Sequence, residues 1–226
     1  MIYLLDTADV KAIKHCNEFY PLAGVTTNPS IVSKEKTEFF PLLKKIRKII
    51  GPDKMLHVQT VQKKAADMVK EAVLLKEMLG GEFYVKIPIC EEGLKATKML
   101  KEIGIGVTMT AIFTPAQALI AARAGASFVA PYVNRLDNIL GDGCEVVAQI
   151  CELFNVYGLD CQVLAASFKT CEQVHKCAIA GCHCVTASRG ILEQLIKYPM
   201  TEAALIGFES DWAEVYGDKT ILDMAK

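Results

Sequence analysis

The sequence predicts a single α/β barrel of eight parallel strands, and three observations carry that reading. Strand-like and helix-like segments alternate eight times along the 226 residues. The strand-like runs are continuously apolar rather than alternating, as expected for a parallel sheet covered by helices. No G-x-G-x-x-G or G-x4-G-K-[ST] motif opens any unit, which weakens the competing reading of an open, doubly wound nucleotide-binding sheet. Eight units in so short a chain fit a compact barrel.

The strands fall at 2–6, 24–28, 56–61, 83–88, 106–113, 128–133, 161–167 and 184–188. Helical patterns occupy 7–19, 37–50, 66–79, 91–103, 114–124, 143–154 and 170–180. In the third of these, Met68, Val69, Ala72, Val73, Leu75 and Met78 recur at helical spacing, with Lys70, Glu71, Lys76 and Glu77 elsewhere. Gly80, Gly104, Gly125, Gly158 and Gly181 stand where left-handed helix caps are expected. A last helix, 201–216, lies beyond the eighth unit, and residues 1–226 read as one domain.

Composition removes several classes of function. A net charge of −1 offers no electrostatic footprint for nucleic acid, and no block of Lys and Arg suggests a membrane surface. The longest apolar runs are strand-sized, far short of the ~20 residues of a spanning helix. Met1-Ile2-Tyr3-Leu4-Leu5-Asp6 lacks the basic start of a signal peptide, so a cytoplasmic location is expected. Nine cysteines, an odd number, then read as reduced thiols filling the core. Cys171, His175, Cys177, Cys182, His183 and Cys184 crowd together, but C-x5-C-x4-C-x-C lacks the paired C-x2-C knuckles of zinc sites. No metal is expected there.

The residue with the strongest chemical implication is Lys86, inside the apolar run Phe83-Tyr84-Val85-Lys86-Ile87-Pro88. A buried ammonium is costly and tends to lose its proton, and a neutral amine attacks carbonyl carbon to form a Schiff base. An edge-strand lysine snorkelling to solvent is the bland alternative. Other polar residues collect at the strand C-termini, where barrels of this kind place their chemistry: Asp6, Thr26-Thr27-Asn28, Gln59, Thr110, Tyr132 with Asn134-Arg135, Ser167 with Lys169, and Ser188-Arg189. Each alone has a structural explanation. Asp6, Thr7 or Ser167 can cap the helix that follows, and Asn28-Pro29 makes an ordinary turn.

Asp6-Thr7-Ala8, Gly24-Val25-Thr26-Thr27-Asn28-Pro29-Ser30, Val85-Lys86-Ile87-Pro88, Ala130-Pro131-Tyr132-Val133-Asn134-Arg135 and Ala165-Ala166-Ser167-Phe168-Lys169 together resemble the transaldolase superfamily. More narrowly they resemble its small branch, which includes fructose-6-phosphate aldolase, and the similarity runs from Asp6 to Asp211-Trp212. The resemblance implies a metal-free, cofactor-free class I aldolase barrel with Lys86 as the Schiff-base lysine and dihydroxyacetone as donor unit. It implies that Asp6 binds donor hydroxyls and relays a proton, and that Asn28, beside Thr26, holds the donor's hydroxymethyl end. Arg135, Ser167 and Lys169 would hold the acceptor's phosphate, which suits a guanidinium's planar fork. Small sugar phosphates are the implied partners, and a homo-oligomer, pentamer or decamer, the implied assembly, with helix 201–216 reaching a neighbour.

Two positions separate the branches. Transaldolases carry glutamate where Gln59 stands, and many small ones carry phenylalanine in place of Tyr132; fructose-6-phosphate aldolase has this chain's pair. Glutamine exchanges no proton at neutral pH, so the Tyr132 phenol, through a water also held by Gln59 and Thr110, takes the acid–base role. Release of free dihydroxyacetone is therefore the expected activity, with transfer of that unit between sugar phosphates as the alternative and a catalytically silent barrel disfavoured. Phe113, where the aldolase has tyrosine, and Thr186-Ala187-Ser188-Arg189, where the family's strand is more apolar, depart from the pattern on the acceptor side.

Overall fold

The structure, a computed structural model, describes residues 1–225. Its eight strands are β1 (Ile2–Asp6), β2 (Leu22–Thr26), β3 (Met55–Gln59), β4 (Phe83–Pro88), β5 (Gly106–Ile112), β6 (Phe128–Pro131), β7 (Gln162–Ala165) and β8 (Cys184–Ala187). They close into a barrel in sequence order, all parallel, with β8 paired to β1. The helices are α1 (Val10–Phe19), α2 (Pro29–Lys34), α3 (Phe39–Ile50), α4 (Ala65–Leu79), α5 (Glu91–Glu102), α6 (Pro115–Arg123), α7 (Val133–Asp137), α8 (Gly143–Val156), α9 (Cys171–Ile179), α10 (Arg189–Ile196), α11 (Pro199–Tyr216) and α12 (Ile221–Met224). The expected (β/α)8 barrel with an additional C-terminal helix is the observed architecture.

The chain divides into two compact units, Met1–Ile191, which holds all eight strands, and Leu192–Lys226. In the second unit α11 leaves Ile206, Phe208 and Val215 exposed, and the Trp212 indole N–H donates to the Lys219 carbonyl at 2.8 Å.

Alternation along the strands decides what faces the barrel axis. Leu4, Phe128, Leu164 and Cys184 come from four different strands yet pack as one cluster, with Met55 and Tyr84 against it. These side chains fill the lower half of the barrel. Two residues further along each strand points to the same side, so Asp6, Gln59, Lys86, Ala130 and Thr186 form the layers above. Gly24 is required where β2 crosses β3: a Cβ there would lie 2.2 Å from the Met55 carbonyl oxygen.

Four short helices went unrecognised in the sequence. Both α2 and α7 are too short, at 6 and 5 residues, for an apolar period to register. With α10 they lie in segments read as connections, and α12 lies beyond the last element read from the sequence. Gly80, Gly104, Gly125, Gly158 and Gly181 all have positive φ past their helices, although Gly80, with ψ of −167°, caps α4 outside the left-handed helical region. Helix α1 starts three residues later than its apolar pattern suggested, because the Asp9 carboxylate caps it by accepting from the amides of Lys11 at 2.8 Å and Ala12 at 3.3 Å. That shift leaves the Asp6 side chain out of the helix cap.

Candidate active site

Strand register builds the site from below. Gln59, Lys86 and Thr108 sit side by side on β3, β4 and β5, with His57, Tyr84 and Gly106 one step beneath and Pro88, Thr110 and Ala130 above. Lys86 is 4% exposed, which settles against the snorkelling alternative. Its amine donates to the Thr27 carbonyl at 2.9 Å. That carbonyl lies just past the end of β2, where the Thr27 amide bonds across to the His57 carbonyl. Burial pushes the Lys86 ammonium below the usual lysine range, and the Asp6 carboxylate opposes the shift.

Asp6 is held by Thr26, which in turn reaches across the barrel seam. The Thr26 hydroxyl donates to its carboxylate at 2.6 Å, and the same hydroxyl meets Thr186 on β8 at 2.7 Å. Thr26 is fully buried, so its hydroxyl acts on Asp6. Thr186 is a member of this relay that sequence reading missed. Only its place two residues beyond Cys184 on an inward-facing strand hinted at it.

Across the mouth, the Tyr132 phenol lies 3.1 Å from the Thr110 hydroxyl. Phe113 packs edge-on against the Tyr132 ring at 5.6 Å, and the Arg135 guanidinium lies over that ring at 4.7 Å. Ala111 has φ of 59° at the point where the β5–β6 register slips, so a non-glycine residue in the left-handed region aims the neighbouring Thr110. Ser167, with φ of 66°, is another of the four non-glycine residues with positive φ, the remaining two being Lys36 and Leu140. Left-handed conformations of this kind cost about 1–3 kcal/mol each and collect at functional sites.

Asn28 does cap α2, its Oδ1 accepting from the Ile31 amide at 3.0 Å. The cap uses only the oxygen, and the amide nitrogen has no partner among the described residues. Ser167 does not cap α9; Thr170 does, in a capping box with Gln173. Arg135 on α7 and Lys169 in the loop after β7 are exposed, and Ser167 is half-buried. Backbone bonds from Val133 to Ala166 at 3.0 Å and from Asn134 to Ser167 at 2.9 Å join the segments carrying all three.

Beneath Lys86, His57 was also unforeseen. It is fully buried, its Nδ1 lies 2.8 Å from the Thr108 hydroxyl, and its ring stacks on Tyr84 at 4.9 Å. Burial and then the Lys86 charge push its pKa down to about 3. A folded-state pKa below the unfolded 6.5 means the unfolded chain binds the proton more readily. The resulting stabilisation is present above pH 6.5 and drains away as pH falls toward 3, at ~1.4 kcal/mol per unit. Replacing the pair by His57→Phe with Thr108→Val should therefore shrink the stability lost between pH 6.5 and 4.5 by about 2 kcal/mol. Urea unfolding at the two pH values measures it; an unchanged loss would mean His57 is not the titrating group.

The cysteine–histidine cluster is spoken for by packing. The Cys182 thiol faces the Cys184 and Val163 carbonyls at 3.0 and 3.3 Å, and His183 Nδ1 accepts from the Val163 amide at 3.1 Å. Burial pushes the Cys182 and Cys184 thiols up to about 12. Among the described residues no three His, Cys, Asp or Glu side chains converge as a metal site would require. No helix among them is long and apolar enough to cross a membrane.

A family model described as transaldolase/fructose-6-phosphate aldolase matches residues 3–222. The chain belongs to this family. Its members are transaldolases and fructose-6-phosphate aldolases, so this barrel is an enzyme of transaldolase/aldolase type. Solved structures show how widely the architecture is shared. One described as native KDPGal superposes with a TM-score of 0.57 at 18% identity, covering 83% of this chain and 81% of that one. The 3,6-anhydro-D-galactonate cycloisomerase from Zobellia galactanivorans also gives 0.57, at 15% identity over 83% of this chain and 53% of its own. A mandelate oxidase mutant with an FMN adduct gives 0.57 at 11% identity, over 84% of this chain and 64% of its own. This transaldolase/aldolase-family chain thus spans less than two thirds of the last two, and at such identities the likeness is one of fold.

Proposed function

We propose that this family member is a Schiff-base aldolase that reversibly cleaves fructose 6-phosphate, or a close ketose phosphate, to dihydroxyacetone and glyceraldehyde 3-phosphate. The observation that carries the reading is the buried Lys86 amine, tethered by the Thr27 carbonyl on the barrel axis with Asp6 and the Thr110–Tyr132 pair on the same mouth. Neutral Lys86 attacks the ketose carbonyl and water leaves, forming an iminium. Asp6, aimed by Thr26, takes the proton of the hydroxyl on the far carbon of the bond that breaks, so that carbon departs as the phosphorylated aldehyde and the electrons of the broken bond pass into the iminium. The remaining enamine takes a proton from the Tyr132 phenol, and water then hydrolyses the iminium to free dihydroxyacetone. Asn28, whose cap on α2 uses only the side-chain oxygen, donates its amide to the donor's terminal hydroxyl in this reading.

Fructose 6-phosphate incubated with and without erythrose 4-phosphate, following free dihydroxyacetone, decides between release and transfer. Release without an acceptor supports the aldolase; product only with an acceptor makes it a transaldolase. A cytoplasmic homo-oligomer accompanies the proposal, the exposed apolar side chains of α11 being suited to a second copy; sedimentation with and without residues 199–226 tests it.

Two further results are expected. Arg135→Ala should raise KM for glyceraldehyde 3-phosphate by about ten- to a hundred-fold while changing that for glyceraldehyde little, since a charge-assisted phosphate contact is worth ~1.5–3 kcal/mol. Equal effects on both acceptors would make Arg135 structural. Protonation removes the nucleophile, so the rate of borohydride-trapped adduct formation should fall as pH drops, with its acid limb below 10.5 because the Lys86 pKa is lowered. Asp6→Asn removes the group that opposes the lowering, and should move that limb further to acid. A limb that stays put or moves to alkaline pH would show that Asp6 does not act on the amine.

A further inference from the structure

Gln173 begins as a local feature of the sequence, the fourth residue of a Thr-x-x-Gln helix start, and ends as a bridge between distant segments. Its Oε1 accepts from the backbone amides of Lys169 at 2.8 Å and Thr170 at 3.2 Å. Its Nε2 donates to the side-chain oxygens of Asn134 at 3.2 Å and Asp137 at 2.6 Å. The side chain is 9% exposed and uses both lone pairs and both protons, the whole capacity of a primary amide. One face of this amide grips the loop that carries Ser167 and Lys169. The other grips both ends of α7, which carries Arg135.

Helix α7, with only 5 residues, cannot hold itself in place by its own backbone bonds. Asp137 is in turn anchored by the Gly143 amide at 2.8 Å, so the clamp runs from α9 through α7 to the start of α8. We infer that Gln173 is a positioning residue that sets the separation of Arg135 from Ser167 and Lys169, and with it the preference for phosphorylated over unphosphorylated acceptor aldehydes. The inference rests on the proposed assignment of those three residues to the acceptor's phosphate. It explains why the amide is needed rather than an acid: a glutamate would keep the capping bonds but bring a second carboxylate against Asp137.

The test is Gln173→Glu, alone and combined with Asp137→Asn, which reverses donor and acceptor across the same contact without changing net charge. Steady-state kinetics with dihydroxyacetone and either glyceraldehyde 3-phosphate or glyceraldehyde give the preference, and competitive inhibition by inorganic phosphate reads the grip directly. The single variant should lose the preference by roughly ten-fold through KM, with the phosphate inhibition constant rising in parallel. Borohydride trapping of dihydroxyacetone on Lys86 should persist, and the double variant should recover the preference. If the single variant does not fold, Asn134→Ala, which removes one of the two acceptors on α7, should show the same effect more weakly. Equal losses with both acceptors, no loss, or a double variant that recovers nothing overturns the positioning role. A preference lost in Arg135→Ala but kept in Gln173→Glu overturns it while sparing the phosphate assignment. A wild-type enzyme with no preference overturns both.

Discussion

Lys86→Met is expected to lower ketose cleavage by on the order of 10⁴-fold or more, because it removes the group that forms the covalent intermediate rather than one that assists it. Methionine matches the unbranched reach of lysine, and a buried thioether costs nothing of the sort that a buried ammonium does. The Thr27 carbonyl does lose its donor, at about 1–3 kcal/mol, so thermal melting should accompany the assay to show a folded barrel. In the wild-type enzyme, borohydride added with dihydroxyacetone or fructose 6-phosphate should leave a reduced three- or six-carbon adduct on Lys86 and on no other lysine. Peptide mass mapping reads this directly. An adduct elsewhere, or activity surviving in a folded Lys86→Met protein, would end the Schiff-base assignment.

Tyr132→Phe should reduce dihydroxyacetone release by about 10²- to 10⁴-fold while the Lys86 imine remains trappable. The phenol and the Thr110 hydroxyl are 3.1 Å apart, and the phenol oxygen is the part that phenylalanine lacks. The ring itself carries the packing: it keeps the edge-on contact with Phe113 and stays under the Arg135 guanidinium, so stability should change little. With the enamine unable to take its proton from the phenol, adding Gln59→Glu restores an acid beside Lys86 on the neighbouring strand. That double variant should favour transfer to a second aldehyde over release. Near-normal release by Tyr132→Phe alone would remove Tyr132 from the acid–base role, and with it the main argument for release over transfer.

Particular residues show how far the sequence could be read. Lys86 was legible because a charged residue breaks an apolar strand-sized run, a signal contained in six consecutive residues. The polar strand ends were legible in the same way, once the alternation of elements indicated which end of each strand was which. His57 was not, since a histidine inside an apolar run is ambiguous until its neighbours Thr108, Tyr84 and Phe128 are known. Gln173 hid behind its own capping box: the local bond to Thr170 accounts for half of what it does, and nothing in the sequence shows the other half.

By itself, then, the sequence determined the eight-unit barrel, the buried lysine and the rim of polar residues, because period, burial and capping are properties of short stretches of chain. Tertiary structure alone decided which of those residues act on one another. Lys86 meets a carbonyl 59 residues away, and Asp6 is aimed by Thr26, 20 residues on, whose hydroxyl is shared with Thr186 a further 160 along. Asp6 meets Thr26 because β1 and β2 pair in one register, and Thr26 meets Thr186 because β8 closes onto β1. A slip of one residue in the β8–β1 pairing would turn Thr186 to the outside and leave the Thr26 hydroxyl without its second partner.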